Sequence, residues 1–331
     1  MREPADDIER SSATVTNEIR AGAAYVCQHS GVISLVDSEE IAAYAASLPA
    51  ELPEGMVWDA EHHLLTEDPE TLAAYVLCIG AINCGGPIAS KVAEEGAPFD
   101  EGNYYFHCAR ALTDWFKTNG TPNSQQLQDL LPSFICKIFA LPTNGNYANL
   151  LAKKFTLHLN ELGVFLERGL DGQFHALIDR AEGSVDRAIS QLLFMPNFRD
   201  VHNFQQHQIM FLKRAQSTIA DLADSFGQIG MKAFQDTEKL TALPDNAVAA
   251  VLRVDGMIQC SNKLQDKINN QVALESGSEE ELSLRAATIL LVDQIAAAKG
   301  VRPIDIDRIL WHRSHDTIYK GQSHLTVSGY Y

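Results

Sequence analysis

Lys213, Arg214 and Gln216 flank an apolar stripe at helical spacing made of Phe211, Ala215, Ile219, Leu222 and Phe226. A Lys or Arg at the margin of a buried face needs an anion nearby, which can be a carboxylate, a phosphate or a cluster of carbonyls. A short way downstream Asp245 follows Pro244 and leads into the apolar run Val248 to Leu252. Asp245 is therefore either a helix N-cap or the carboxylate that answers the cationic pair. Lys213 is either a ligand-facing cation or a snorkelling side chain paired with Asp200 or Asp221. Arg214 and Asp221 are seven apart on one helical face with Thr218 between them, an arrangement that reads as structural.

The elements that must position these groups are helical. Residues 17–28 and 38–48 have helical periods, the second opening at Ser38 with Glu39 and Glu40 in its first turn. Asp68-Pro69 starts another helix that runs to about Ile82 and is stopped at Gly85-Gly86-Pro87. Further helices are expected over 104–117, 148–167, 174–182, 184–193, 211–226, 278–298 and 303–311. Only Val32 to Val36, Met257 to Gln259 and the C-terminus read as strand. The expected fold is all-α or nearly so, one helical domain over 16–331 behind a mobile acidic tail at 1–15. No repeat and no glycine-rich phosphate loop interrupts that pattern.

Over 331 residues the formal charge is −17 and the pI near 5.0, which argues against a nucleic-acid surface while leaving room for one local phosphate site. The hydrophobic content of 46% is that of an ordinary globular chain, and no apolar run reaches the ~20 residues that span a bilayer. The N-terminus is polar rather than signal-like, so a cytoplasmic location away from membranes is expected. Cys27, Cys78, Cys84, Cys108, Cys136 and Cys260 are scattered without metal-ligand spacing and read as reduced core thiols. Neither a metal nor an organic cofactor is expected.

The order and spacing of Phe198-Arg199-Asp200, Lys213 to Gln216, and Asp245 ahead of Val251 to Gly256 resemble the queuosine salvage family, the queuosine 5′-phosphate N-glycosylase/hydrolases. His62-His63 before Asp68-Pro69, Ala81-Ile82-Asn83, Gly102 to Phe106, Leu310-Trp311 and Tyr330-Tyr331 fit the same pattern. The resemblance implies a helical fold akin to the helix-hairpin-helix DNA glycosylases. It also implies hydrolysis of the N-glycosidic bond of a nucleoside 5′-monophosphate, releasing queuine, a 7-deazaguanine.

Such a reaction passes through an oxocarbenium-like ribose, which a carboxylate stabilises while it orients or deprotonates water. On that basis Asp245 is the expected carboxylate, with Lys213 as its catalytic partner at the ribose or the phosphate. Asp200, Arg214, His62, Asn83, Tyr104, Phe106 and Asp255 are the expected substrate-binding residues. Each also has an ordinary structural reading: a turn cap for Asp200, a helix-closing turn for Asp255, a helix-end cap for Asn83, and core packing for the rings.

Gly80, Cys84, Ser283, Leu325 and Val327 replace residues that the family pattern carries at recognition positions. A shifted base preference, with another 7-deazapurine or a purine nucleotide as substrate, is one expectation. A non-catalytic nucleotide- or base-binding protein on the same fold is the alternative.

Overall fold

The computed structural model describes residues 14–49, 58–99 and 103–326, with residues 328 and 330. Residues 1–13 of the expected tail, with Gly102, Val327 and Tyr331, lie outside the described residues, while Val15 already opens the first helix.

The described chain is mostly helical. Its helices are α1 (Val15–His29), α2 (Ser38–Ser47), α3 (Pro69–Ile82), α4 (Ala89–Glu94), α5 (Tyr104–Asn119), α6 (Ser124–Gln128), α7 (Pro132–Ile138) and α8 (Asn146–Gly169). They continue with α9 (Ala176–Ala181), α10 (Val185–Leu192), α11 (Lys213–Gln228), α12 (Asn246–Val254), α13 (Asn262–Asn269), α14 (Glu279–Lys299) and α15 (Pro303–Arg313). Four short strands, β1 (Ile33–Leu35), β2 (Val201–Phe204), β3 (His207–Met210) and β4 (Ile258–Cys260), form two antiparallel pairs, β1 with β4 and β2 with β3.

Two helices that are apolar nearly all round lie in the centre, as such helices must. On α3, Asp68 accepts the Thr71 amide and Pro69 occupies the first turn, and every residue from Leu72 to Ile82 is buried. On α14, Ser278 accepts the Glu281 amide, three glutamates favour the N-terminal dipole, and Gly300 ends the helix at φ 74°. α1, α2, α12 and α15 pack on α14, while α5, α8 and α11 pack on α3. One cluster of buried apolar side chains runs from Ile19 to Tyr319. No single described helix is long and apolar enough to cross a membrane.

The expected strands at Val32 to Val36 and Met257 to Gln259 meet as β1 and β4, with Ile33 opposite Cys260. The β2–β3 hairpin was not expected. Its turn residues Gln205 and Gln206 take φ of 44° and 68°, a left-handed turn made without the Asn or Gly that marks such turns in a sequence. The helix expected from Phe211 accordingly begins at Lys213. Short helices α4, α6, α7 and α13 carry too few turns to display a period.

Candidate active site

The hairpin delivers the chain to α11 through Leu212, a buried residue held in the left-handed region at φ 52° and ψ 37°. A non-glycine residue there costs about 1–3 kcal/mol, so the surrounding packing imposes this turn. It places Lys213 in the first turn of α11, where the helix dipole disfavours a cation. Carboxylates offset that. The Lys213 amide donates to Asp200 Oδ2 at 3.3 Å, and Lys213 Nζ lies 3.9 Å from Asp245 Oδ2. Both charged side chains are only 8% exposed.

Asp245 divides its two oxygens between two tasks. Oδ1 accepts the amides of Ala247 and Val248, at 3.0 Å each, and caps α12. Oδ2 faces Lys213. Its readings as an N-cap and as the carboxylate facing the cation are therefore compatible.

Asp200 is held from three sides. Arg285, wholly buried on α14, grips both carboxylate oxygens, with Nη1 3.0 Å from Oδ1 and Nη2 against Oδ2, while His202 Nε2 is 2.9 Å from Oδ1. Burial alone would raise the Asp200 carboxyl, but Arg285 and the His202 hydrogen bond outweigh it and hold its pKa down to about 2. Arg285 Nε also donates to the Pro244 carbonyl at 3.0 Å, and the guanidinium lies 4.2 Å from the Phe211 ring centroid. One arginine thus ties the residue that caps α11 to the residue preceding Asp245. Glu281 Oε1 approaches the same guanidinium at 3.4 Å.

Two further carboxyls surround the pair. Asp307, buried on α15, accepts the Leu243 amide at 2.8 Å, and burial together with the neighbouring Asp245 charge raises its pKa well above the usual carboxylate range. Asp221, about two turns along α11 from Lys213, is pushed up to about 6 by burial, against the pull of Arg308 and Lys213. Carboxyls with such different proton affinities in one place are what acid–base chemistry needs. Trp311 lies one turn beyond Asp307. Its ring is 6.0 Å from Phe106, and Phe106 is 4.5 Å from His62, which gives three half-buried rings in a row.

The other sequence candidates fall into two groups. Asn83 ends α3 and its Nδ2 donates to Ser217 Oγ at 3.4 Å, one turn along α11 from Lys213. His62 and Phe106 meet in the aromatic row, His62 Nδ1 being 2.9 Å from Asp59 Oδ1. The remaining three are committed elsewhere. Arg214 is buried against the Gly80, Ala81 and Asn197 carbonyls and lies over the Phe198 ring. Tyr104 donates to the Cys84 carbonyl at 2.6 Å, pointing away from Phe106 because residues two apart on a helix do not share a face. Asp255 closes the opposite end of α12 from Asp245 and accepts the hydroxyls of Tyr44 at 2.6 Å and Tyr319 at 2.8 Å.

Gly80 packs directly against α11. A Cβ there would stand 2.1 Å from Thr218 Oγ1, so the missing side chain is what lets α3 approach α11. Cys84 is buried with Sγ 3.7 Å from His158 Nδ1, and Ser283 donates to Ser30 Oγ at 2.7 Å. The Leu325 carbonyl accepts the Leu274 amide at 2.8 Å. Among the described residues no three His, Cys, Asp or Glu side chains are grouped so as to hold a metal ion. Arg285, Asp307, Asp221 and Trp311 were not foreseen as site residues. The sequence marks Asp221 only as a structural partner of Lys213 or Arg214, Arg285 and Trp311 lie within stretches that it marks, and Asp307 carries no local signal of a role in the site.

The described fold and site thus define a helical protein with a buried lysine facing a helix-capping carboxylate. The chain belongs to the queuosine salvage protein family, whose profile matches residues 62–331. It is 28% identical over 286 residues to the queuosine 5′-phosphate N-glycosylase/hydrolase of Sphaerobacter thermophilus, covering 83% of this chain and 86% of that one. It is 26% identical over 273 residues to the Dictyostelium discoideum protein of the same name, covering 79% of each, and 26% identical over 172 residues to that of Bos taurus, covering 48% and 50%.

Proposed function

We propose that the protein hydrolyses the N-glycosidic bond of a nucleoside 5′-monophosphate, with queuosine 5′-phosphate the leading substrate and queuine the base released. The observation that carries this reading is the buried Lys213–Asp245 pair, 3.9 Å apart, in a member of a family whose relatives bear that activity in their names. Asp245 Oδ2 is the oxygen left over from capping, available to stabilise positive charge on the ribose and to take a proton from water. Lys213 binds the ribose or the 5′-phosphate beside Asp245.

As the bond from C1′ to the base nitrogen breaks, its electron pair leaves with the base. Water adds its oxygen to C1′, giving free base and ribose 5-phosphate. A 7-deazapurine lacks N7, so its departure is aided elsewhere on the ring. Asp307, whose carboxyl is raised well above the usual carboxylate range by burial and the neighbouring Asp245 charge, is the group placed to give a hydrogen bond or a proton to the leaving base. His62, Phe106 and Trp311 offer ring faces to the heterocycle, and Asn83 a polar contact. Asp200, Arg214 and Arg285 position these groups from behind.

The preference among bases follows from this wall rather than from Gly80, so a purine nucleotide stays within the proposal beside the 7-deazapurine. Base release from queuosine 5′-phosphate compared with guanosine and adenosine 5′-monophosphates tests the reading. Absence of release from all three, with ligand-induced thermal shifts retained, would replace it by nucleotide binding alone.

A further inference from the structure

A groove of about 910 Å³ shares no residue with the candidate active site. It runs beside the C-terminal half of α8, with Leu157, Glu161, Val164 and Arg168 on one wall and Phe194 and Met195 on the other. Phe194 is 74% exposed and Leu157 56%, unusual values for large apolar side chains flanking one groove. The exposed edge of α8 is patterned. Leu150, Leu157 and Val164 recur every seven residues, which keeps them in line along the helix. Lys153 and Lys154 precede Leu157, and Glu161 and Glu167 follow it. Tyr147 and Leu150 are exposed at the N-terminal end, where the groove does not reach.

That order is complementary to itself when reversed. We propose that the protein self-associates as a two-fold dimer in which α8 packs antiparallel on α8 of a second copy, with the axis passing beside Leu157. In this arrangement Leu157 meets its own counterpart and Leu150 faces Val164 of the second copy. Lys153 stands opposite Glu161 of the second copy. Tyr147 and Leu150 of each copy then run over the groove of the other, which explains why exposed apolar groups and the groove occupy opposite halves of one helix. The contact is isologous, so each feature is satisfied twice. A parallel pairing would set lysines against lysines.

Electrostatics favour the same occupant. The chain carries −17 overall, whereas this face presents Lys153 and Arg168 against Glu161 and Glu167, so the negative charge that keeps two copies apart is offset along it. Glu161 itself is half-buried and its carboxyl is raised by burial, although it accepts the Asn197 amide at 3.2 Å, and Lys153 of a second copy would lower it again. A helix of 24 residues is about 36 Å long, enough to span an interface of ordinary size.

Sedimentation velocity over a concentration series tests this directly. The expected result is a monomer–dimer equilibrium shifted to monomer by Leu157→Glu, which sets two carboxylates against each other on the axis. Base-releasing activity per chain should be unchanged, because Leu157 is exposed and lies outside the candidate site, and the melting temperature should be unchanged at concentrations where both chains are monomeric. A second variant, Leu157→Cys, should form a covalent dimer across the axis under mild oxidation while the parent chain does not. A parent chain that stays monomeric up to the highest concentration, or a dimer that survives Leu157→Glu and gives no Leu157→Cys crosslink, overturns the proposal.

Discussion

Lys213 Nζ stands 3.9 Å from Asp245 Oδ2 while Asp245 Oδ1 caps α12, so a single carboxylate anchors a helix with one oxygen and meets the lysine with the other. Stability and chemistry at this residue are separable for that reason. Asn and Asp are about equally good N-caps, and only Asp carries the charge.

Arg285 holds the two halves of the site in register. Truncation to Ala would leave Asp200 and Glu281 buried without their cation and would free the Pro244 carbonyl. Breaking a buried ion pair in this way costs about 3–5 kcal/mol. Chemical denaturation of Arg285→Ala is expected to show a loss of that order. Arg285→Lys should recover part of it but not the bidentate grip on Asp200.

Asp221 and Asp200 should leave opposite marks on the pH dependence of stability. Asp221 is raised from 3.8 to about 6 in the folded chain, so the folded state binds the extra proton and stability falls as pH rises through that interval. Asp200 is lowered from 3.8 to about 2, so its contribution is present above 3.8 and is lost as pH falls towards 2. Asp221→Asn is expected to flatten the decline between pH 4 and pH 7 and to raise stability at pH 8, by on the order of 2 kcal/mol. Urea denaturation at several pH values measures this.

The α3–α11 contact makes Gly80 a packing residue. Gly80→Ala would drive a methyl into Thr218, and overpacking of this kind costs about 1–3 kcal/mol. Thermal melts should show the loss, with partial recovery in the double variant carrying Thr218→Ala. Recovery of stability without a change in base preference would separate Gly80 from recognition.

Under the proposed function, Trp311 and Phe106 stack on the base. Trp311→Ala is expected to raise KM for the mononucleotide by about tenfold, in keeping with the 1–3 kcal/mol that stacking a base on a ring contributes. kcat should fall less. Steady-state kinetics distinguish this from a general loss of activity, in which kcat would fall with KM unchanged.

The long helices were legible because α8 and α11 repeat their apolar pattern over many turns and α14 carries ordinary caps at Ser278 and Gly300. Lys213 and Asp245 were legible as a charge beside a buried stripe and as an acid at a helix start. Asp307 was not, and Asp221 was legible only as a structural partner, because what raises their pKa values is burial against elements distant in sequence. Arg285 sits on a helix that is buried all round, so its charge gives no hint of direction until Asp200 and Pro244 are brought to it. Gly80 stood out as a departure from a family pattern, but only the Thr218 contact shows what it does. The Gln205-Gln206 turn escaped notice because its residues are not those that usually adopt left-handed backbone.

The central claim rests on the charge of Asp245. Single-turnover base release from queuosine 5′-phosphate should be compared between the parent chain and Asp245→Asn, with both melting temperatures recorded. The account predicts a loss of at least about 100-fold in rate with the fold and its stability nearly unchanged, the scale at which a positioned catalytic group contributes. A well-folded Asp245→Asn protein that releases base at close to the parent rate would contradict it.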